Sequence, residues 1–369
     1  MSARSTPPFR ADIVGSLLRS APLKEARAER EAGVISAVAL KVIEDREIET
    51  MIRKQQQVGL KVVTDGEYRR SRWQYDFFWN LTGVEKVMRE RGTFFHGVTS
   101  HRDSTYVSGK IDFPDDHPML EHFRFLKAHA AVTPKMCIPS PSVLHFRRGR
   151  EGVSREAYPD LGGYFIDLAR CYRKAVRAFY DAGCRYLQFD DTVWAHLCAD
   201  SERAMARERG EAVVQLPGIY ARVINHALAD KPPDLIVTTH TCRGNFRSSW
   251  QSEGGYEPIA DILFNSVDYD GYFLEYDSAR AGGFEPLRFL PKGKIVVLGL
   301  VTTKTGALEA KDLIRRRIEE AARFAPIDQF CLSPQCGFAS TEEGNILAEE
   351  EQWAKLRMIV ESADEVWGG

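Results

Sequence analysis

Short apolar runs alternate with longer amphipathic stretches along most of this chain, and the alternation predicts its elements. Eight runs read as buried strands: ADIVGS (11–16), LKVVTDGE (60–67), PKMCIPS (134–140), CRYLQFDD (184–191), DLIVTTHTC (234–242), GYFLEY (271–276), KIVVLGLV (294–301) and DQFCLSP (328–334). They are nearly continuous in apolar residues rather than alternating, the signature of parallel strands covered on both faces. Between them, AVALKVIEDREIETMIRKQQQVG, GGYFIDLARCYRKAVRAFYDAG, PGIYARVINHALAD, LEAKDLIRRRIEEAARFA and NILAEEEQWAKLRMIVESADEVW repeat apolar residues at three and four. That spacing gives helices with one face on a sheet. Several end in Gly just before the next strand, a helix-stop signal. Eight strands alternating with helices predict an α/β fold, a (β/α)8 TIM barrel.

The alternation is interrupted once. Residues 68–132 are long for a connection between barrel elements, and GTFFHGVTSHRDSTYVSGKIDFP reads as a hairpin rather than a crossover helix. The expected organisation is one catalytic barrel over residues 1–369 with an insertion at about 68–132 after the second strand, near the active face. There is no Pro/Ser-rich linker, internal repeat or phosphate-binding Gly loop.

Composition narrows the class. With 50 Lys plus Arg against 52 Asp plus Glu, the formal charge is −2, so nothing global calls for nucleic acid or an anionic membrane. The longest apolar runs fall well short of the roughly 20 residues that span a bilayer. MSARSTPPFRADIVGS has no continuous apolar region of a secretory signal. Seven scattered cysteines do not form a disulfide framework, and a reducing cytoplasm is the expected location.

The chemistry-bearing residues sit at strand ends. His240 and Cys242 in TTHTCRGN, Glu275 in YFLEYDSAR and Cys336 in SPQCGF each follow an apolar run, and strand ends of one barrel face converge in space. Two thiolates, an imidazole and a carboxylate suit tetrahedral Zn²⁺, and a displaceable ligand leaves a position for substrate. The blander reading makes Cys242 and Cys336 small buried hydrophobes and Glu275 a salt-bridged carboxylate. Cys137, Cys171, Cys184, Cys198 and Cys331 lie in apolar or helical surroundings and default to packing.

Six ordered motifs, IVGS, VTDGEYRR, LQFDD, HTCRGN, LEYDSAR and SPQCGF, together resemble the C-terminal catalytic barrel of cobalamin-independent methionine synthase. The resemblance runs from about residue 11 to about 340, and the chain is similar to the short, single-barrel members of that family. It implies a zinc enzyme that moves a methyl group from a folate to homocysteine, with His240, Cys242, Glu275 and Cys336 as ligands. It further implies that Ser16, Glu67 and Asp190 grip the carboxylate and ammonium of an amino acid substrate. Paired carboxylates suit an ammonium, and a hydroxyl at a strand end suits a carboxylate. The structural alternatives are a salt bridge from Glu67 or Asp190 to an Arg such as Arg69, and a simple turn at Ser16.

Two departures concern the donor half. Where the family has a proton-donating His after the seventh strand, this chain reads GLVTTKTG, placing Lys304 there beside Asp190 as a catalytic candidate. The family's stacking Trp is missing from the third-strand loop, CIPSPSVLHF. Trp194 is then the expected wall of the donor site, whereas Trp73, Tyr75, Phe77, Phe78 and Trp79 read as core before pocket. The expected function is zinc-dependent methyl transfer to a small thiol, homocysteine to methionine, from methylfolate, a methyl-corrinoid protein or an epoxide. The alternatives are thiol alkylation like that of epoxyalkane coenzyme M transferases, a metal-free tetrapyrrole decarboxylase of the same superfamily, and a catalytically silent ligand-binding barrel.

Overall fold

The computed structural model describes residues 4–368. Its strands in chain order are β1 (Val62–Val63), β2 (Thr82–Met88), β3 (Phe94–Phe95), β4 (Val98–Thr99), β5 (Asp103–Asp112), β6 (Thr133–Pro134), β7 (Met136–Pro139), β8 (Tyr186–Asp191), β9 (Ile236–Thr241), β10 (Gly271–Glu275), β11 (Ile295–Val301) and β12 (Phe330–Pro334). Strands β7 to β12 form one parallel sheet in sequence order, and β1 pairs with β6 in parallel. The first apolar run closes the ring: Ala11 bridges Leu332 of β12, and Thr64 Oγ1, just after β1, donates to Gly15 O. The fold is therefore a (β/α)8 barrel, with all eight apolar runs at ring positions.

Burial on both faces explains the sequence pattern. Every residue of β8, β10, β11 and β12 is buried, inside by the barrel core and outside by helices. The helix Leu161–Asp181 shows how the cover is built. Asp160 caps it by accepting from Gly163 N, and Leu168, Cys171, Tyr172, Ala175, Val176 and Phe179 form its inner face. It stops at Gly183, whose φ of +97° favours a residue without Cβ. Among the described residues, no helix is long and apolar enough to cross a membrane.

Residues 68–132 hold two different things. β2 and β5 pair antiparallel with a small β3–β4 hairpin at their tip, as the alternating sequence suggested. The ribbon is followed by a helix, Pro118–His129, whose Met119, Leu120, Phe123 and Leu126 pack inward. The ribbon tip is fastened across the C-terminal face of the barrel. His96 stacks on Trp250 at 4.8 Å and its N–H donates to Trp250 O, while His101 pairs with Glu343.

Candidate active site

The register of the parallel sheet places the functional side chains. Asp190 pairs with His240 across β8 and β9, and Glu275 is the last residue of β10. Cys242 follows β9, and Cys336 follows β12. The ligand atoms of His240, Cys242, Glu275 and Cys336 all lie within 4.8 Å of one another, and all four residues are buried. Cys242 Sγ and Cys336 Sγ are 3.4 Å apart. This hydrogen bond holds the Cys336 thiol well below its ordinary pKa, and pushes Cys242 up. Burial raises the Glu275 carboxyl to about 7.

These residues fit a zinc ion. Both ring nitrogens of His240 and Oε2 of Glu275 are buried without a hydrogen-bond partner, and a cation at the centre would take one of those nitrogens and that oxygen. The other Glu275 oxygen accepts from Arg243 N at 2.7 Å, and Tyr256 Oη bonds both backbone groups of Glu275. Such fixed surroundings orient a ligand set before anything binds. The remaining five cysteines are free and buried elsewhere, in keeping with packing roles.

Ser16, Glu67 and Asp190 open on the same cavity as His240, Cys242 and Cys336. Glu67 is held at a φ of +59°, unusual for a residue with a side chain, by Asp65 Oδ1 accepting its N–H. Its partner is Arg70, with Nη1 3.4 Å from Oε1, and not Arg69, which pairs with Glu44 and Asp45. Glu67 Oε2 is buried without a partner. Burial raises Glu67 to about 7 and Asp190 to about 6. Two buried carboxylates with unspent acceptor capacity are what a ligand cation requires. Ser16 Oγ accepts from Ala339 N at 3.3 Å, and a Cβ on Gly337 would sit 2.0 Å from that oxygen, so this close approach needs glycine.

Two expectations need correction. Trp194 is not a wall of the cavity: it is fully buried in the helix Val193–Cys198 and lies outside the lining. Lys304 is also outside the lining, its Nζ donating to Gly244 O, Asn245 Oδ1 and Ser249 O at 3.2–3.4 Å. It ties down the loop after β9 and is spent as a donor. Lys304→Met should therefore lower unfolding stability by about 1–3 kcal/mol, because three acceptors lose a charged donor. Denaturant unfolding checks this; unchanged stability with a collapsed kcat would restore a proton-donor role.

Part of the lining comes from outside the strand ends. Arg72, Trp73, Gln74, Tyr75, Arg89 and Arg147 line the outer cavity, with Phe95, His101 and Asp103 from the ribbon. Trp73 and Tyr75 thus face the pocket, while Phe77 and Phe78 are core.

A closed parallel barrel with a buried sulfur, nitrogen and oxygen cluster at its strand ends defines a (β/α)8 protein whose possible metal ligands open on a cavity at one face. The chain belongs to the cobalamin-independent synthase family, catalytic domain, whose model matches residues 9–365. It is 51% identical to the uncharacterized protein YxjH of Bacillus subtilis (strain 168), over 98% of this chain and 95% of that one. It is 23% identical to a methionine synthase of Pyrococcus abyssi, over 88% and 85% of the two chains. Among solved structures, a Listeria monocytogenes protein assigned by name to the vitamin-B12-independent methionine synthases superposes with a TM-score of 0.81. That match has 40% identity and covers 99% of this chain and 100% of the other.

Proposed function

We propose that this protein is a zinc-dependent thiol methyltransferase whose acceptor is homocysteine and whose product is methionine. The observation that carries this is one cavity joining the His240, Cys242, Glu275 and Cys336 cluster to Glu67, Asp190 and Ser16. Zinc held by the four would supply Lewis acidity, letting a substrate thiol ionise near neutral pH. Glu67 and Asp190 receive the ammonium of the acceptor, and Ser16 its carboxylate end. Coenzyme M, a sulfonate without an ammonium, would bring no cation to the free acceptor positions of these carboxylates, which disfavours the epoxide reading. The thiolate sulfur attacks the methyl carbon of the donor, the new S–C bond forming as the carbon–carrier bond breaks; the carrier leaves with the electron pair, and a folate nitrogen takes up a proton as it departs.

The pH dependence follows from burial of the two carboxylates. They hold an ammonium only when ionised, and their pKa values in the substrate-free protein are raised to about 7 and about 6. KM for homocysteine should therefore rise as pH falls from about 7.5 to 5.5, while the zinc content at pH 6 stays at its pH 7.5 level. A KM flat across that window would remove the carboxylates from acceptor binding.

The donor is tested with a panel. With neither Lys304 nor the family's stacking Trp in the cavity, free methyl-tetrahydrofolate is expected to be a poor donor or to rely on altered contacts; loss of a positioned proton donor commonly costs about 10²- to 10⁴-fold. Elemental analysis should find about one zinc per chain. Homocysteine alkylation, followed by mass spectrometry, should occur with at least one of methyl-tetrahydrofolate, a methyl-corrinoid protein or an epoxide. Metal-free protein of full activity would defeat the reading, and so would zinc-loaded protein inert with every donor.

A further inference from the structure

A second concave site lies between the helices Leu161–Asp181 and Leu216–Leu228, and it shares no lining residue with the cavity at the metal cluster. It is a groove of about 690 Å³, inside the range of about 300–1,000 Å³ that small-molecule sites occupy. Phe165, Ile166 and Ala169 form one wall, and Leu216, Ile219 and Val223 the other. Of these large apolar side chains Ile166 alone is exposed, at 49%, so the apolar surface is recessed rather than presented as a flat face.

The groove also contains buried polar groups with nothing to bond. His145, in the helix Pro141–Phe146, is 1% exposed, and its Nε2 has no hydrogen-bond partner. Nη1 of Arg150 is buried and unpartnered as well, while its Nη2 donates to Tyr158 O at 2.7 Å. Burial, and then the charges of Arg209 and Arg150, lower the His145 imidazole to about 4, so at neutral pH the ring is uncharged and carries one hydrogen. Nδ1 lies 2.8 Å from the Tyr220 hydroxyl. A ring nitrogen accepts better than a phenol oxygen, so the hydroxyl donates to Nδ1 and the hydrogen sits on Nε2. Glu211 is the one acidic residue of the lining: one oxygen is 3.9 Å from Nε2, too far for a hydrogen bond, and the other accepts from Arg150 N. Against it stand Arg150, Arg209 and Arg222, none with an ion-pair partner within 4.0 Å among the described residues.

We propose that this groove is a binding site for a small amphipathic monocarboxylate, its apolar body between the two helices and its carboxylate oxygens accepting from His145 Nε2 and Arg150 Nη1. Such a ligand satisfies two buried donors that the chain itself leaves open, and it brings one negative charge to a lining with a surplus of cations. An alcohol of the same length offers no charge to Arg150, and an amine faces three arginines. No residue of the metal cluster takes part, so the site stands whether or not the chain methylates a thiol.

Calorimetry on the full chain tests this with octanoate, octanol, octylamine and acetate, all below micellar concentrations. Octanoate should bind at about one per chain and at least about tenfold tighter than the other three, which lack the charge, reverse it or lack the apolar body. Its binding should be unchanged in the presence of saturating homocysteine. Arg150→Gln and Ile166→Glu should each weaken it by at least about fivefold, the first by removing a donor and the second by placing a like charge on the exposed wall, whereas Arg150→Lys should keep most of it. Ile166 is half exposed, so its variant tests the groove without disturbing the core. Octanoate binding no tighter than octanol overturns the proposal, as does full affinity in both Arg150→Gln and Ile166→Glu. Competition by homocysteine would place octanoate in the barrel cavity instead, and dimerisation of the chain that Ile166→Glu abolishes would give the groove to a second copy; either result also overturns it.

Discussion

Cys242→Ser and Cys336→Ser should each hold far less zinc than the wild-type chain, and thiol alkylation should fall by at least about 10²-fold. The two Sγ atoms are 3.4 Å apart, within a cluster that offers only two other ligands, His240 and Glu275. A serine hydroxyl stays protonated at neutral pH and is a poor ligand for a borderline-soft ion, so each change removes about a quarter of the coordination and half of the thiolate charge. Nearby thiols offer no rescue, because Cys137, Cys198 and Cys331 are buried with their sulfurs committed to the backbone oxygens of Val14, Trp194 and Pro8. Cys171→Ser provides the control: it lies on the inner face of the helix Leu161–Asp181 and should keep its zinc. Full zinc retention in both Cys242→Ser and Cys336→Ser, by elemental analysis, would refute the metal site.

Glu67→Gln and Asp190→Asn should raise KM for homocysteine by about 10- to 100-fold while leaving zinc in place. Each replaces a carboxylate by a neutral amide of the same shape, so the ammonium loses a charge-assisted hydrogen bond and the Zn–S contacts are untouched. Stability separates this role from a structural one. The folded-state pKa of each carboxyl is raised by burial, so ionising it costs stability as pH rises from the unfolded value through about 6 to 7. The neutral variants avoid that cost and should melt higher than the substrate-free wild type at pH 8. A structural salt bridge between Glu67 and Arg70 would give the opposite, a lower melting temperature. Equal homocysteine binding in wild type and variants would remove both residues from the acceptor site.

The barrel was legible because its strands are buried on both faces, so that IVVLGLV and its counterparts stand out as unbroken apolar runs. The convergence of His240, Cys242, Glu275 and Cys336 was legible for a related reason, since all four follow or end such runs and strand ends of one face meet. Lys304 and Trp194 show where proximity to a strand end stops being informative. Trp194 lies three residues beyond Asp191, but the chain has already turned into a helix that directs the indole into the core. Lys304 reaches under the loop after β9 because oxygens there need a donor, a tertiary demand invisible in GLVTTKTG. Arg89, His101 and Arg147 were missed for the same reason. The ribbon's place over the barrel depends on long-range contacts such as His96 with Trp250 and Phe95 with Phe246, which no local periodicity encodes. The helix Pro118–His129 carried a helical spacing of apolar residues, yet the hairpin signal just before it dominated the segment.

The central claim is that the site ionises a substrate thiol, and proton release on binding tests it most directly. A free thiol has a pKa of about 8.5, so homocysteine is almost wholly protonated at pH 7. Homoserine carries the same ammonium and carboxylate but a hydroxyl in place of the thiol, and it cancels any protons released by Glu67 and Asp190. Calorimetry in buffers of different ionisation enthalpy should show homocysteine releasing about one more proton per chain than homoserine at pH 7, with the excess lost in Cys336→Ser. Equal proton release by the two ligands on zinc-loaded wild-type protein would contradict the account.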